Sequence, residues 1–186
     1  MLVRNEAAPD RYLREVLTNA RRWARQLVVL DDRSTDDTPA VCRSFGALVQ
    51  VRDSTIPAWG AEAVARHELW DLATAIATDL GAWVLFQDAD MVLSADPTPL
   101  TWSESLNTWA WPLYDQWSET QYRADPPFWQ GHRHPRPWLV CPWRVPPGWG
   151  PEWNTRGLHT GHLPVNWPMW DGVAPTDYYW IHRAYC

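Results

Sequence analysis

The stretch W-V-L-F-Q-D-A-D-M-V-L-S-A-D, residues 83–96, decides the fold prediction for this chain. It opens with a largely apolar run, which is typical of a buried strand, and continues into two carboxylates, Asp88 and Asp90. Side chains two positions apart on an extended chain point to the same side. Both carboxylates can therefore reach one hard cation, and carboxylate pairs that hold Mg²⁺ or Mn²⁺ usually do so to bind a phosphate-bearing substrate. The alternative interpretation is an ordinary strand-ending turn with two solvated aspartates.

Strands and helices alternate on the amino-terminal side of this stretch. Apolar residues recur at helical spacing over residues 12–23, and Asp10 is placed to cap that helix. A longer helix is predicted over residues 61–80, and Pro39 is typical of a first helical residue. Short runs rich in valine and leucine predict three strands, at residues 27–30, 47–51 and 83–87.

This alternation predicts right-handed crossovers and a parallel sheet. The ligand crevice of such a sheet lies beyond the carboxyl ends of its strands. Asp31 and Asp32 follow one predicted strand, and Asp88 and Asp90 follow another. We therefore expect the two acidic clusters at the same edge of the sheet. For the first cluster alone, a turn followed by a helix cap is the alternative interpretation.

The chain changes character after about residue 97. Of the 16 tryptophans, 12 lie beyond residue 100, and prolines crowd the same segment. Because proline excludes long helices, we predict short strands joined by rigid loops there. A length of 186 residues suits one domain, so residues 1–96 and 97–186 are expected to be two halves of a single domain.

Charge and composition exclude several classes of function. The formal net charge of −6 argues against nucleic-acid binding, because such proteins present a basic face to phosphates. All 16 basic residues are arginine. Chemistry that needs a lysine, such as a Schiff base or a P-loop, is therefore excluded.

Cysteine usage bears on the compartment. Cys42, Cys141 and Cys186 are widely spaced and form neither a disulfide framework nor a C-x-x-C pair, so a reducing cytosol fits best. The sequence has no charged start followed by an apolar run, and no apolar stretch long enough to span a bilayer. We therefore expect a cytoplasmic protein with no integral membrane segment.

Four motifs stand in the first half of the chain: R-N-E at residues 4–6, D-D-R-S-T-D-D-T at residues 31–38, Arg66, and G-A-W-V-L-F-Q-D-A-D at residues 81–90. In this order and at these spacings they resemble the nucleotide-sugar glycosyltransferases of the GT-A fold, in particular the large family two. The resemblance implies an α/β, Rossmann-like fold with a mostly parallel central sheet and a loop-rich carboxyl-terminal half. It also implies that the first half binds the nucleotide sugar and the second half forms the acceptor side.

The resemblance assigns roles by position, with a UDP-sugar as the implied donor. The backbone near Leu2 and the side chain of Arg4 would border the nucleoside, and Asp32 would accept a hydrogen bond from the base. The donor-binding residues implied in this way are Leu2, Arg4, Glu6, Asp32, Arg66 and Asp88. The divalent Mn²⁺ or Mg²⁺ that bridges the two phosphates would be held by Asp90 with help from Asp88. A metal fits the chemistry, because it neutralises the departing diphosphate without a proton.

The element W-I-H-R-A-Y, residues 180–185, resembles the histidine-x-x-tyrosine element that ends the catalytic core in many of these enzymes. There the histidine often completes the metal shell, so His182 is the expected third metal ligand. A packed or surface histidine is the alternative, since imidazole is an occasional ligand of Mn²⁺. For Arg66, a solvated helix residue is the alternative.

The general base toward the acceptor hydroxyl departs from the family pattern. Family members usually place a carboxylate in the stretch that here contains R-G-L-H-T-G-H-L-P, residues 156–164. His159 occupies that place and is the expected catalytic residue. Glu152, Asp125 and Asp171 are the alternatives, each from a neighbouring loop.

Two patterns in the second half carry weaker predictions. The pairs H-x-H and H-x-x-H, formed by His132, His134, His159 and His162, are compatible with zinc, but structural zinc normally recruits cysteines as well. Most tryptophans are expected in the core. One or two exposed indoles would stack on acceptor sugar rings, with Trp109, Trp111, Trp129 and Trp153 as candidates.

The resemblance thus implies a metal-dependent glycosyltransferase that moves a sugar from a nucleoside diphosphate sugar to a hydroxyl of a glycan or other acceptor, with inversion. One alternative is a non-catalytic nucleotide-sugar-binding remnant, since the expected base is not at its usual place. Another is a haloacid-dehalogenase-type phosphatase, whose opening motif also matches residues 84–92, with Asp88 as nucleophile. That class needs a downstream lysine, and this chain has none.

Overall fold

The computed structural model describes residues 1–56, 58–127, 129–154, 161–169 and 171–183. Within these ranges the chain is a mixed α/β protein. Its three α-helices are α1 (Leu13–Arg21), α2 (Thr38–Ser44) and α3 (Glu62–Leu80). None of the helices in the described ranges combines the length and the apolar character needed to cross a bilayer.

A parallel sheet forms the amino-terminal half. Its strands are β1 (Leu2–Val3), β2 (Leu27–Asp31) and β3 (Ala47–Val51), in the order β1-β2-β3. Both pairings are parallel, with Leu2 opposite Leu30 and Leu27 opposite Ala47. The predicted strands at 27–30 and 47–51 are confirmed. All three strands end at one edge, where Asp31 and Asp32 lie.

Helices α1 and α2 follow their sequence patterns. The inward face of α1 consists of Leu13, Val16, Leu17 and Ala20, which are all buried. The prediction that Asp10 caps α1 is wrong. Tyr12 holds the N-cap position without a capping side chain, because the backbone turns just before the helix, where the Arg11 N–H donates to the Ala8 carbonyl. Helix α2 carries Pro39 in its first turn, as predicted.

Helix α3 confirms the predicted long helix and ends at a glycine. Gly81 adopts a left-handed conformation with φ +58°, which a residue with a Cβ rarely adopts. Its N–H donates to the Thr78 carbonyl, satisfying one of the free carbonyl groups at the helix end. The buried face of α3 includes one charged residue, Arg66, among Ala65, Leu69 and Trp70.

The strand that precedes the two aspartates differs from the prediction. Only Val84 and Leu85 form a strand, β4, rather than the whole of residues 83–87. This strand does not pair with the parallel sheet. It pairs antiparallel with β9 (Arg136–Val140) in a mixed sheet, so the central sheet is parallel only across β1, β2 and β3.

The described residues of the second half form short strands joined by loops, as their proline content predicts. Its other strands are β6 (Thr108–Trp111), β7 (Leu113–Ser118), β8 (Gln121–Tyr122), β10 (Asp171–Val173) and β11 (Trp180–His182). One sheet has the order β10-β6-β9-β4, and the other has the order β5-β11-β7-β8, where β5 is Met91–Leu93. Thus β4 and β5 both join sheets built mainly from the second half. The division at residue 96 stays a prediction.

Tryptophan supplies much of the core, as expected. Trp111 and Trp180 are fully buried, and Trp138 is 2% exposed. Trp138 and Trp180 contact each other edge to face, with ring centroids 5.9 Å apart. These rings pack in one buried cluster with Leu93, Leu113 and Leu139.

An apolar cavity of about 400 Å³ lies at the end of the parallel sheet opposite the acidic clusters. Its wall includes Leu27 and Val28 at the start of β2, Ala77 on α3, and Leu85 on β4.

Cys42 and Cys141 are free thiols, and both are buried. The cytoplasmic compartment stays a prediction.

Candidate functional site

Asp32, at the carboxyl end of β2, forms a buried ionic cluster. Its side chain is 1% exposed, and its Oδ1 accepts a hydrogen bond from Arg52 Nη1 at 2.6 Å. Its Oδ2 accepts from Arg4 Nη1 at 3.0 Å and from the Ala58 backbone N–H at 2.8 Å. Burial favours the neutral acid, but these hydrogen bonds prevail and lower the pKa of Asp32 below 3.8. Asp32 is therefore an ionised group with three donors around it.

Arg52 is a site residue that the sequence analysis missed. It directly follows β3, so it lies at the same sheet edge as Asp32, and this position is the signal that could have revealed it. Its side chain is fully buried and also donates to Glu68 on α3, from Nε at 2.7 Å and from Nη2 at 3.0 Å. Arg52 thus ties β2 and β3 to α3.

The first two sequence motifs form one interlocked loop pair. Asp31 accepts from the Ser34 hydroxyl at 2.6 Å and from the Ser34 N–H at 3.0 Å, which closes the turn after β2. Backbone N–H groups of the first loop then donate to side chains of the second: Asn5 to Ser34, Glu6 to Thr38, and Ala7 to Asp36. The R-N-E motif is thus held against the aspartate-rich loop.

Arg66 projects from α3 into the site and is 8% exposed. Its Nη2 donates to Asp88 Oδ1 at 3.0 Å, and its Nε donates to Glu62 Oε1 at 3.2 Å. Its Nη1 is buried and has no hydrogen-bond partner among the described residues. Six other buried side-chain nitrogens among the described residues share this state. Arg66 is thus a buried side chain that is held by two ion pairs. The alternative of a solvated helix residue is therefore wrong.

Asp88 is engaged on both oxygens. Oδ1 accepts from Arg66, and Oδ2 lies 2.9 Å from His162 Nε2. Burial favours the neutral acid, but His162 and Arg66 prevail and hold the pKa of Asp88 well below 3.8. His162 also packs on Trp138, with ring centroids 4.9 Å apart. From the sequence, His162 was a candidate only for zinc, because 74 residues separate it from Asp88.

Asp90 lies beside His182, whose role as a metal ligand stays a prediction. Asp90 Oδ2 is 3.1 Å from His182 Nε2, and the Asp90 carbonyl accepts from the Arg183 N–H at 2.8 Å. The antiparallel pairing of β11 with β5 sets His182 opposite Met91 and so fixes this approach. Asp88 and Asp90 themselves lie at a turn between β4 and β5 rather than on an extended strand, and their carboxylates have different partners.

The other ring nitrogen of His182 contacts a second carboxylate. Nδ1 lies 2.8 Å from Asp115 Oδ1, and Asp115 is 8% exposed. Burial disfavours the charged imidazole, but the hydrogen bonds of Asp115 and Asp90 outweigh it and raise the pKa of His182 to about 10. Asp115 was not predicted. The signal for it is an acidic residue at a buried position in the aromatic strand β7.

The Asp90 and His182 pair fits part of a divalent-metal site. Neighbouring ligands about 2.1 Å from an octahedral ion lie about 3 Å apart, and the two side-chain atoms are 3.1 Å apart. No group of three or more His, Cys, Asp and Glu side chains suited to a metal ion occurs among the described residues. Such a pair would hold Mg²⁺ or Mn²⁺ together with substrate phosphate oxygens, which is the usual arrangement for Mg²⁺.

Electrostatic coupling connects the two acidic clusters. Burial and the negative charges of Asp90 and Asp36 outweigh the effect of Arg11 and raise the pKa of Glu6. Burial and the Arg66 charge likewise lower the pKa of the Met1 amino group to about 5. The segment from Met1 to Glu6 thus interacts electrostatically with the turn at Asp88 and Asp90. The prediction that both acidic clusters lie at the edge of one sheet is wrong, because the strand before Asp88 pairs in another sheet.

The remaining predicted residues lie apart from this network or outside the described ranges. Leu2 pairs with Leu30 in the parallel sheet, which leaves its role as a prediction. His159 lies outside the described residues. Among the alternative bases, Asp125 pairs with Arg123 and is 64% exposed, while Glu152 and Asp171 are exposed.

The structure also bears on the predicted zinc ligands and on the tryptophans predicted to stack on sugars. His132 packs against Tyr114 and Tyr122, whereas His162 contacts Asp88, so these two histidines have different surroundings. Trp111 is 0% exposed and cannot stack on a sugar. Partly exposed indoles remain at Trp109, Trp129 and Trp153.

Comparison with known proteins gives a partial likeness. No protein-family model and no curated protein sequence matches the chain. Glucosyl-3-phosphoglycerate synthase from Mycobacterium tuberculosis, in complex with uridine diphosphate, is similar at 20% identity and a TM-score of 0.36 over 62% of this chain and 42% of that one. A mycobacterial protein is similar at 18% identity and a TM-score of 0.34, over 60% and 39%. The chain spans about two fifths of these structures, so we infer function from its own site.

Proposed function

We propose that this chain is a metal-dependent glycosyltransferase of the GT-A type that moves a sugar from a nucleoside diphosphate sugar, most simply a UDP-sugar, to a hydroxyl acceptor. One observation carries the proposal. Two different groups meet at the turn of Asp88 and Asp90. One is Arg66, whose buried Nη1 has no partner among the described residues and is suited to a phosphate oxygen. The other is the Asp90 and His182 pair, whose side-chain atoms are spaced as two ligands of one metal ion would be.

These groups match the needs of a departing diphosphate. Arg66 offers its free Nη1 to a phosphate oxygen, and it cannot rotate away because Glu62 and Asp88 hold its other nitrogens. Asp90 and His182 would hold Mn²⁺ or Mg²⁺, which supplies charge neutralisation to the leaving diphosphate. Both oxygens of Asp88 are engaged, which favours Asp88 as the residue that positions Arg66 and His162 over a direct metal ligand.

The nucleoside would lie over the Asp32 cluster. Asp32 itself is covered, whereas the Arg4 side chain is 43% exposed and is held by Asp32. We therefore assign the base and ribose contacts to Arg4, the backbone near Leu2, and the loop at Glu6. Asp32 would contribute by fixing Arg4 and the Ala58 backbone.

Transfer would proceed by direct displacement with inversion. The acceptor oxygen forms a bond to the anomeric carbon while the bond from that carbon to the diphosphate oxygen breaks, and the acceptor proton passes to a general base. His159 is our candidate base. Of the two other predicted functions, the phosphatase needs Asp88 as a free nucleophile, which its contacts with Arg66 and His162 oppose. A silent nucleotide-sugar binder would bind the donor without turnover.

Thermal unfolding with UDP, GDP or CDP, with and without Mn²⁺, tests the proposal. We expect one nucleotide to stabilise the chain only with Mn²⁺, by about 2.7 kcal/mol at a hundredfold excess over Kd. Asp90→Asn should abolish the metal dependence. Asp71→Asn is the matched control, since it alters an exposed carboxylate that contacts only His67 in the ion pairs described. No Mn²⁺-dependent stabilisation by any of the three would contradict the proposal.

Product assays separate the enzyme from the silent binder. We expect the chain to release UDP from a UDP-sugar in the presence of Mn²⁺ and a mixture of glycan acceptors. Donor binding without release of UDP or formation of product would favour the non-catalytic alternative.

A further inference from the structure

We propose that Asp115 is a positioning residue for the metal site: it fixes the ring orientation and tautomer of His182, so that Nε2 is presented to the metal beside Asp90. This inference rests on the proposed function and deepens it. Asp115 touches neither the expected donor nor the expected metal, and it acts through His182.

The contacts are directional. Asp115 Oδ1 lies 2.8 Å from Nδ1, and Asp90 Oδ2 lies 3.1 Å from Nε2 of the same ring. A neutral imidazole has one N–H and one lone pair. Because the Asp115 carboxylate can only accept, it holds the proton on Nδ1, so the proton that His182 gives up when it becomes a neutral ligand is the one on Nε2. A carboxylate behind a ligating histidine is the usual outer partner in metal sites.

The backbone sets this geometry. Strands β7 and β11 pair in parallel, with Asp115 directly opposite His182. The next residue along each strand repeats the contact, since Arg183 donates to Gln116. Asp115 is 8% exposed, so its charge is not free to turn to water. Orienting His182 would explain why an acidic residue occupies this buried position in β7.

The test measures Mn²⁺ affinity rather than activity. Free Mn²⁺ is measured by electron paramagnetic resonance in the presence of saturating UDP, for the wild type and for Asp115→Asn. The Asn side chain keeps the shape of Asp but also offers an N–H donor to Nδ1. We expect Asp115→Asn to weaken Mn²⁺ binding by about ten- to a hundredfold. Glu119→Gln is the control, because it removes a charge from the same half at an exposed position and should leave the affinity unchanged.

A double-mutant cycle with His182→Ala separates positioning from general structure. If Asp115 acts through the imidazole, Asp115→Asn has no further effect on Mn²⁺ affinity once His182 is gone. Melting temperatures without metal confirm that each variant is folded. Wild-type Mn²⁺ affinity in a folded Asp115→Asn, or equal losses with and without His182, would overturn the role of Asp115 and leave the proposed function standing. Failure of the wild type to bind Mn²⁺ with UDP would overturn both.

Discussion

At the scale of single residues, the densest charge cluster lies around Asp32. Arg52 and Asp32 are both essentially inaccessible to water, and Arg52 also binds Glu68. Removing one partner of such a pair leaves the other charge buried without compensation, which costs far more than an exposed ion pair contributes. The cluster therefore holds the edge of the sheet on which the proposed nucleoside site depends.

We predict that Arg52→Ala destabilises the fold by about 3–5 kcal/mol, because it strands the Asp32 carboxylate. The measurement is the free energy of unfolding from urea denaturation. Arg11→Ala is the control, since Arg11 is 55% exposed and lies 4.0 Å from Glu6, and it should cost less than about 1 kcal/mol. Equal effects of the two substitutions would show that the Asp32 cluster does not support the fold.

The two buried thiols give a second prediction. Burial raises the pKa of Cys42 and of Cys141 to about 11. At pH 8 only about one such thiol in a thousand is ionised, and the thiolate is the reactive form. In a Cys186→Ser background, neither thiol should react with a disulfide reagent at pH 8 until denaturant is added. Rapid modification of either native thiol would contradict the burial that the structure describes.

At the scale of elements, local patterns predicted the helices and the first strands well. Residues 12–23 have apolar residues at helical spacing, and residues 61–80 contain neither proline nor glycine and end before Gly81. Both α1 and α3 were therefore predictable from nearby residues, except for the cap of α1. The strand before Asp88 was not, because its partner β9 lies more than fifty residues further along the chain. An apolar run specifies a buried strand but not the strand that pairs with it.

The cavity beside β2 gives a prediction for α3. Ala77 lines this cavity, whereas Ala65 is fully buried on the same helix and does not line it. Ala77→Leu should fill space and stabilise the fold by about 0.5–2 kcal/mol. Ala65→Leu should overpack and destabilise it by about 1–3 kcal/mol. Unfolding free energies check the pair, and destabilisation of equal size at both positions would show that no usable space exists beside Ala77.

At the scale of the whole molecule, the site depends on contacts between distant residues. Asp88 and Asp90 were predictable because they follow a strand pattern, and His182 because its motif resembles a known element. Asp115 and His162 were not, since 67 residues separate Asp115 from His182 and 74 separate His162 from Asp88. The parallel pairing of β7 with β11 brings Asp115 to His182, and the loop that carries His162 brings that side chain to Asp88.

In the proposed function, the turn at Asp88 and Asp90 and the edge of the parallel sheet jointly bind a metal–diphosphate. The most direct measurement is an anomalous difference map from crystals containing Mn²⁺ and UDP. We predict a Mn²⁺ peak about 2.1–2.3 Å from Asp90 Oδ2 and His182 Nε2, with a phosphate oxygen within hydrogen-bond distance of Arg66 Nη1. A Mn²⁺ peak elsewhere, or a diphosphate bound away from Arg66, would contradict the account.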